Sequence, residues 1–89
     1  MPNNLIKYFY MVNKYSQIYK TVGENIKKFR KKAKLTQTQL AGKTSKVDNA
    51  KISNIENANE DYMFSTLLEI ANALNVNIKE LLTETNTEN

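Results

Sequence analysis

From about residue 20 onward, apolar residues return every three or four positions, a spacing that predicts helices rather than strands. Val22, Ile26, Phe29 and Ala33 make one inward face of a helix over about 22–33. Thr21 and Glu24 stand at its start with the spacing of a capping box, in which each side chain answers an exposed backbone N–H. Thr36 and Gln39 repeat that signature before a short helix that buries Leu40 and Ala41. Asp48 caps a third helix over about 49–57, with Ile52 and Ile55 turned inward. A fourth helix carries the widest apolar stripe, Leu67, Leu68, Ile70, Ala71 and Leu74, which predicts the central core element. Asn77 with Glu80 starts a last short helix that buries Ile78, Leu81 and Leu82.

The flanks are less periodic. "LIKYFYMV", 5–12, suits either a strand or a helix; as a helix it lines up Leu5, Tyr8 or Phe9, Val12, Tyr15 and Tyr19 along one side. "TETNTEN", 83–89, is polar and reads as a frayed tail. The expected organisation is an N-terminal extension at 1–20 that adds a helix or serves a dimer, an all-α domain at 21–83, and a polar tail at 84–89.

Composition narrows the chemistry. With 89 residues the chain makes one small domain, and it contains neither cysteine nor histidine. Disulfides, the common zinc sites, cysteine nucleophiles and histidine triads are therefore excluded. No carboxylate pair is joined by a nucleophile, a metal-ligand set or a phosphate-cradling glycine loop. A non-enzyme without metal or cofactor is expected. No apolar run approaches the roughly 20 residues of a spanning helix, and signal-peptide flanks are missing, so no membrane association and a cytoplasmic location are expected.

The net charge of +4 conceals a polarised chain, +10 over residues 1–55 and −6 over residues 56–89. Much of the positive charge lies in "KKFRKKAK", 27–34. Such a cluster favours polyanions; the other reading is a solvated helix face.

Three fragments in register then carry a resemblance. "VGENIKKFRKKAKLTQTQLA", "ISNIEN" and "TLLEIANALNVNIKELL" make residues 22–82 similar to the Xre family of helix-turn-helix regulators, which includes phage Cro and repressor DNA-binding domains. The resemblance implies a compact five-helix, lambda-repressor-like fold. It also implies that the second helix crosses the DNA backbone while the third enters the major groove of double-stranded DNA.

Carried onto this chain, that geometry leaves Asn49, Ala50, Ser53 and Asn54 as base-reading candidates once Ile52 and Ile55 turn inward. Asn pairs bidentately with adenine and Ala touches a thymine methyl, so the set leans toward A·T-containing sites. Gln37 opens the second helix, where free N–H groups favour a phosphate; local capping is its alternative role. Lys31, Lys34, Lys43, Lys46, Lys51 and Asn57 complete the phosphate candidates, with ordinary solvated surface as the alternative for Lys51 and Asn57. Arg30 and Glu56 match a family ion pair that joins the first helix to the third.

Two departures stand out. Leu40 to Ile52 is one residue longer than the family pattern, and the excess falls in "TSKVD", 44–48, where the family usually has an apolar residue and a glycine. The longer turn is expected to avoid a positive φ, to plug the core with Val47, and to keep Asp48 as the cap. After the third helix comes "NANEDYM", 57–63, whose Glu60 and Asp61 should repel a DNA backbone, and Met63 replaces the usual capping Ser or Thr, so that Ser65 is a later start for the fourth helix.

The function expected from this reading is a sequence-specific transcriptional regulator, a homodimer on a pseudo-palindromic operator. An antitoxin of the same fold, which also binds a toxin, is the neighbouring reading. A protein-interaction module without a specific DNA site is the reading from another class.

Overall fold

Caps and apolar stripes divide the chain into short helices, and in the computed structural model, which describes residues 10–84, they follow one another without a strand among the described residues. The complete helices are α1 (Ser16–Lys32), α2 (Gln37–Gly42), α3 (Asn49–Glu56), α4 (Phe64–Leu74) and α5 (Ile78–Leu82). A helical stretch at 10–14 precedes α1 and breaks at Tyr15, whose ψ of 35° is not helical. Of the helix-or-strand segment expected at 5–12, the part through Phe9 lies outside the described residues, as does 85–89 of the tail; Val12 is buried.

Helix α1 is longer than the sequence pattern predicts. It begins at Ser16, so Thr21 lies inside it, buried, and no capping box forms with Glu24. The physical reason is propagation: no breaker stands between Ser16 and Thr21, and extending an existing helix adds one hydrogen bond per residue without a new nucleus. The helix therefore runs unbroken across the expected boundary at residues 20 and 21.

The three later caps form as the side-chain spacing predicts. Thr36 and Gln39 make a reciprocal box, as do Asn77 and Glu80, and Asp48 accepts from the Lys51 N–H at 2.9 Å. Helix α4 starts at Phe64, with Met63 as a cap that offers no side-chain bond, rather than at Ser65.

Helix α1 packs against α3 and α5, α2 packs against α3, and α4 meets α1, α2 and α5. Val22, Ile26, Leu40, Val47, Ile52, Ile55, Leu67, Ile70, Ala71, Leu74 and Leu81 form one continuous core. Ala33, Leu68 and Leu82, expected inside, are exposed, because each sits at the edge of its helix's apolar stripe or at its end.

Three helices end in the same reversal, and none uses glycine. After α1, Lys34 takes φ 62° while the Leu35 N–H reaches the Arg30 carbonyl at 3.0 Å. After α3, Ala58 takes φ 56° while the Asn59 N–H reaches the Asn54 carbonyl at 2.9 Å; after α4, Asn75 takes φ 59° while the Val76 N–H reaches Ala71 at 3.0 Å. These are Schellman closures, which satisfy carbonyls left free at the helix end. Asparagine tolerates the left-handed conformation, whereas lysine and alanine carry a cost of roughly 1–2 kcal/mol.

Candidate nucleic-acid interface

The placement of α3 follows from two contacts with α1. At the first, a Cβ on Gly23 would stand 2.5 Å from the Glu56 carbonyl oxygen and 2.6 Å from that of Ile55. Only glycine lets the two backbones approach so closely. At the second, two turns along, the Arg30 guanidinium grips the Glu56 carboxylate with Nε–Oε2 at 2.6 Å and Nη2–Oε1 at 3.0 Å. Both residues are buried, and the bidentate bond holds the Arg30 pKa above its ordinary value although burial acts the other way. Arg30 Nη1 also donates to the Leu35 carbonyl at 2.8 Å, and Gln37 Nε2 donates to Glu56 Oε1 at 3.0 Å. One carboxylate thus joins α1, the start of α2 and the end of α3. The Gln37 amide nitrogen gives one of its two N–H groups to this network, which leaves the other as a donor.

The turn between α2 and α3 is closed by side chains. Thr44 Oγ1 donates to the Ala41 carbonyl at 2.7 Å and accepts from the Val47 N–H at 3.1 Å. The Ser45 N–H and hydroxyl both reach Glu69 Oε1 at 3.1 Å, which fastens the turn to α4. Among the described residues, positive φ occurs only at Lys34, Ala58 and Asn75, so none lies in this turn. Val47 enters the core and Asp48 caps α3. The turn reverses the chain by hydroxyl bonding and without a positive φ, so it has no need of glycine.

Of the base-reading candidates, Asn49 and Ala50 are exposed at the start of α3, and Ser53 and Asn54 are half-buried one turn later. Asn49 Nδ2 donates to Thr38 Oγ1 at 3.2 Å, so the first turns of α2 and α3 adjoin. Lys31, Lys34, Lys43, Lys46 and Asn57 are exposed. Lys51 is not free: its ammonium is paired with Glu60, whose other oxygen accepts from Asn54 Nδ2 at 3.0 Å. The acidic loop thus folds back on α3 through Glu60. Its next residue, Asp61, accepts from the Tyr19 hydroxyl and from the Tyr62 N–H, the latter at 2.8 Å.

Sequence reasoning did not place Gly23, Thr38 or the inward role of Glu60. Gly23 left a signal, since glycine inside a helical stripe weakens the helix and marks a close approach. Glu60 left only its charge, because its partners depend on the left-handed turn at Ala58.

No group of three or more metal-ligating side chains is gathered among the described residues, and no helix there is long and apolar enough to cross a membrane. Two short helices that adjoin at their first turns, the second held by a third helix behind, define a helix-turn-helix unit. A family model described as a helix-turn-helix domain matches residues 23–87, and the chain belongs to that family. Searches of curated proteins and of solved structures gave no match.

Proposed function

We propose that the chain is a sequence-specific DNA-binding regulator of the Xre type, with a lambda-repressor-like domain that sets α3 in the major groove of double-stranded DNA. The observation that carries this reading is the Asn49–Thr38 bond, which brings the first turns of α2 and α3 together beside exposed lysines. Asn49, Ala50, Ser53 and Asn54 are the base-reading set, and Lys31, Lys34, Lys43 and Lys46 serve phosphates. The reading is non-enzymatic and cytoplasmic.

A single module of this size touches few base pairs, so the active species is a homodimer on a pseudo-palindrome, its two copies of α3 about 34 Å apart. An open apolar groove of about 420 Å³ between α1, α4 and α5 supports this, lined by Tyr15, Ile18, Phe64 and Leu82 among others. Phe64 is 60% and Ile18 43% exposed there, a loss that a second copy would recover. A toxin on the same groove is the competing occupant, favoured by the same exposure.

Selection from a random duplex pool, followed by salt titration, tests the reading. The expected outcome is a palindromic preference that Asn49→Ala and Asn54→Ala relax by about 1–3 kcal/mol, while Lys31→Ala or Lys34→Ala weakens all duplexes alike. Equal binding of all sequences at every salt concentration sinks it. Sedimentation equilibrium tests the dimer, which Ile18→Asp with Phe64→Asp should reduce to monomer.

A further inference from the structure

We infer that Glu60 is a specificity determinant of the DNA surface proposed above: it withholds Lys51 from phosphate and orients the amide of Asn54. The inference rests on the DNA-binding reading and concerns a residue which that reading, taken from charge alone, treats only as a source of repulsion.

The pose of Glu60 is built from both sides. On its N-terminal side, the reversal at Ala58, closed by the Asn59 N–H on the Asn54 carbonyl at 2.9 Å, turns the chain back along α3. On its C-terminal side, Asp61 is fastened to the Tyr19 hydroxyl of α1. A loop residue fixed at both neighbours presents its side chain in one place, here over the α3 face that bears Lys51 and Asn54.

Two consequences follow from the chemistry of the carboxylate. A carboxylate only accepts, so its bond to Asn54 Nδ2 decides which end of that amide points inward. The Oδ1 and the second N–H are left for a base edge, the acceptor and donor that adenine requires. The ion pair, in turn, cancels the charge of the one lysine on α3. Random duplex is held almost wholly by lysine-to-phosphate attraction, so cancelling that lysine and adding an anion weakens random binding more than operator binding. An acid on a reading surface thereby raises the ratio of specific to non-specific affinity.

Glu60→Gln keeps the shape and removes the charge. Its affinity for a random duplex should rise about threefold to fivefold at low salt, with a logarithmic salt slope steeper by about 0.9, the value for one further phosphate contact. Affinity for the selected palindrome should change less, so the ratio falls. Adding Lys51→Gln to Glu60→Gln should return the random-duplex slope to that of the parent, because the released lysine is the agent. Circular dichroism confirms that the variants remain folded. A parent that binds DNA together with a Glu60→Gln variant of unchanged slope overturns the role of Glu60 alone, as does a gain that survives in the double variant. A parent that binds no duplex at all overturns the DNA reading and this one with it.

Discussion

The α-carbon of Gly23 lies against the main-chain carbonyl of Glu56, so close that a methyl group there would stand 2.5 Å from the oxygen. The backbone of α1 is thus the seat on which the end of α3 rests, and the angle of α3 depends on an absent side chain.

Gly23→Ala should destabilise the fold by about 1–3 kcal/mol, since backbone must shift and the gain in helix propensity of up to about 1 kcal/mol does not offset it. Gly42 is the control. Nothing stands within 4 Å of a Cβ there and its φ is not positive, so Gly42→Ala should leave stability equal or raise it by up to about 1 kcal/mol. Thermal melting decides the matter, with opposite signs for two chemically identical changes.

Arg30→Ala leaves Glu56 buried with only the Gln37 amide beside it. A loss of about 3–5 kcal/mol is expected from an uncompensated buried charge, read as a lower urea midpoint. Replacing both partners, Arg30→Met with Glu56→Leu, should cost less than Arg30→Ala alone. If the double variant is the weaker of the two, the main role of the pair is attraction rather than mutual compensation.

Glycine should have opposite effects at two turns. At Ala58, φ 56° favours glycine, and Ala58→Gly should gain up to about 1 kcal/mol after the entropy it adds to the unfolded chain. At Ser45, φ is not positive and the side chain bonds Glu69, so Ser45→Gly should lose about 0.5–1 kcal/mol. Chemical denaturation of the two variants checks the claim that the α2–α3 turn has no need of glycine.

Stability should fall steeply between pH 10 and 12. Burial, with the Asp61 charge adding to it, pushes Tyr62 up from 10.0 to about 12. Tyr19 is raised as well, by burial first and by its bond to Asp61 second. Below pH 10 both are protonated in folded and unfolded chains, and the stabilisation is fully present. As pH rises from 10 toward the folded values, the unfolded chain releases protons first, so it binds fewer than the native state and unfolding becomes easier. Tyr19→Phe with Tyr62→Phe should flatten this slope, measured by urea unfolding across the range.

The parts of the fold legible in the sequence were those governed by neighbours along the chain. The boxes at Thr36 and Asn77 and the cap at Asp48 depend on residues three positions apart, and they form. The Thr21 box did not, because Tyr19 and Ile18 extend the helical surface backward and leave Thr21 nothing to begin. What stayed hidden was set by contacts across the fold. Asn25 is one case: its amide donates to the carbonyls of Leu81 and Thr83, both at 2.9 Å, and fastens α5 to α1. Nothing near Asn25 in sequence distinguishes it from a solvated asparagine. Within the candidate surface, exposed Asn49 and Ala50 could be found by elimination of the apolar positions, whereas the bond from Asn54 to Glu60 requires the left-handed step between them.

Glu60 and Asp61 are neighbours that hold different helices, the first α3 and the second α1 through Tyr19. Tyr19 in turn meets Tyr62 edge-on, with ring centroids 5.6 Å apart. The chain has no tryptophan, so its ultraviolet emission comes from five tyrosines, two of which sit at the far end of this link. Lys51→Gln, which removes the partner of Glu60, should therefore change the tyrosine emission if the hold of Asp61 on the Tyr19 hydroxyl depends on that pair, and leave it unchanged if it does not. Emission from the tyrosines is thus a label-free measurement by which the link between α3 and α1 is tested.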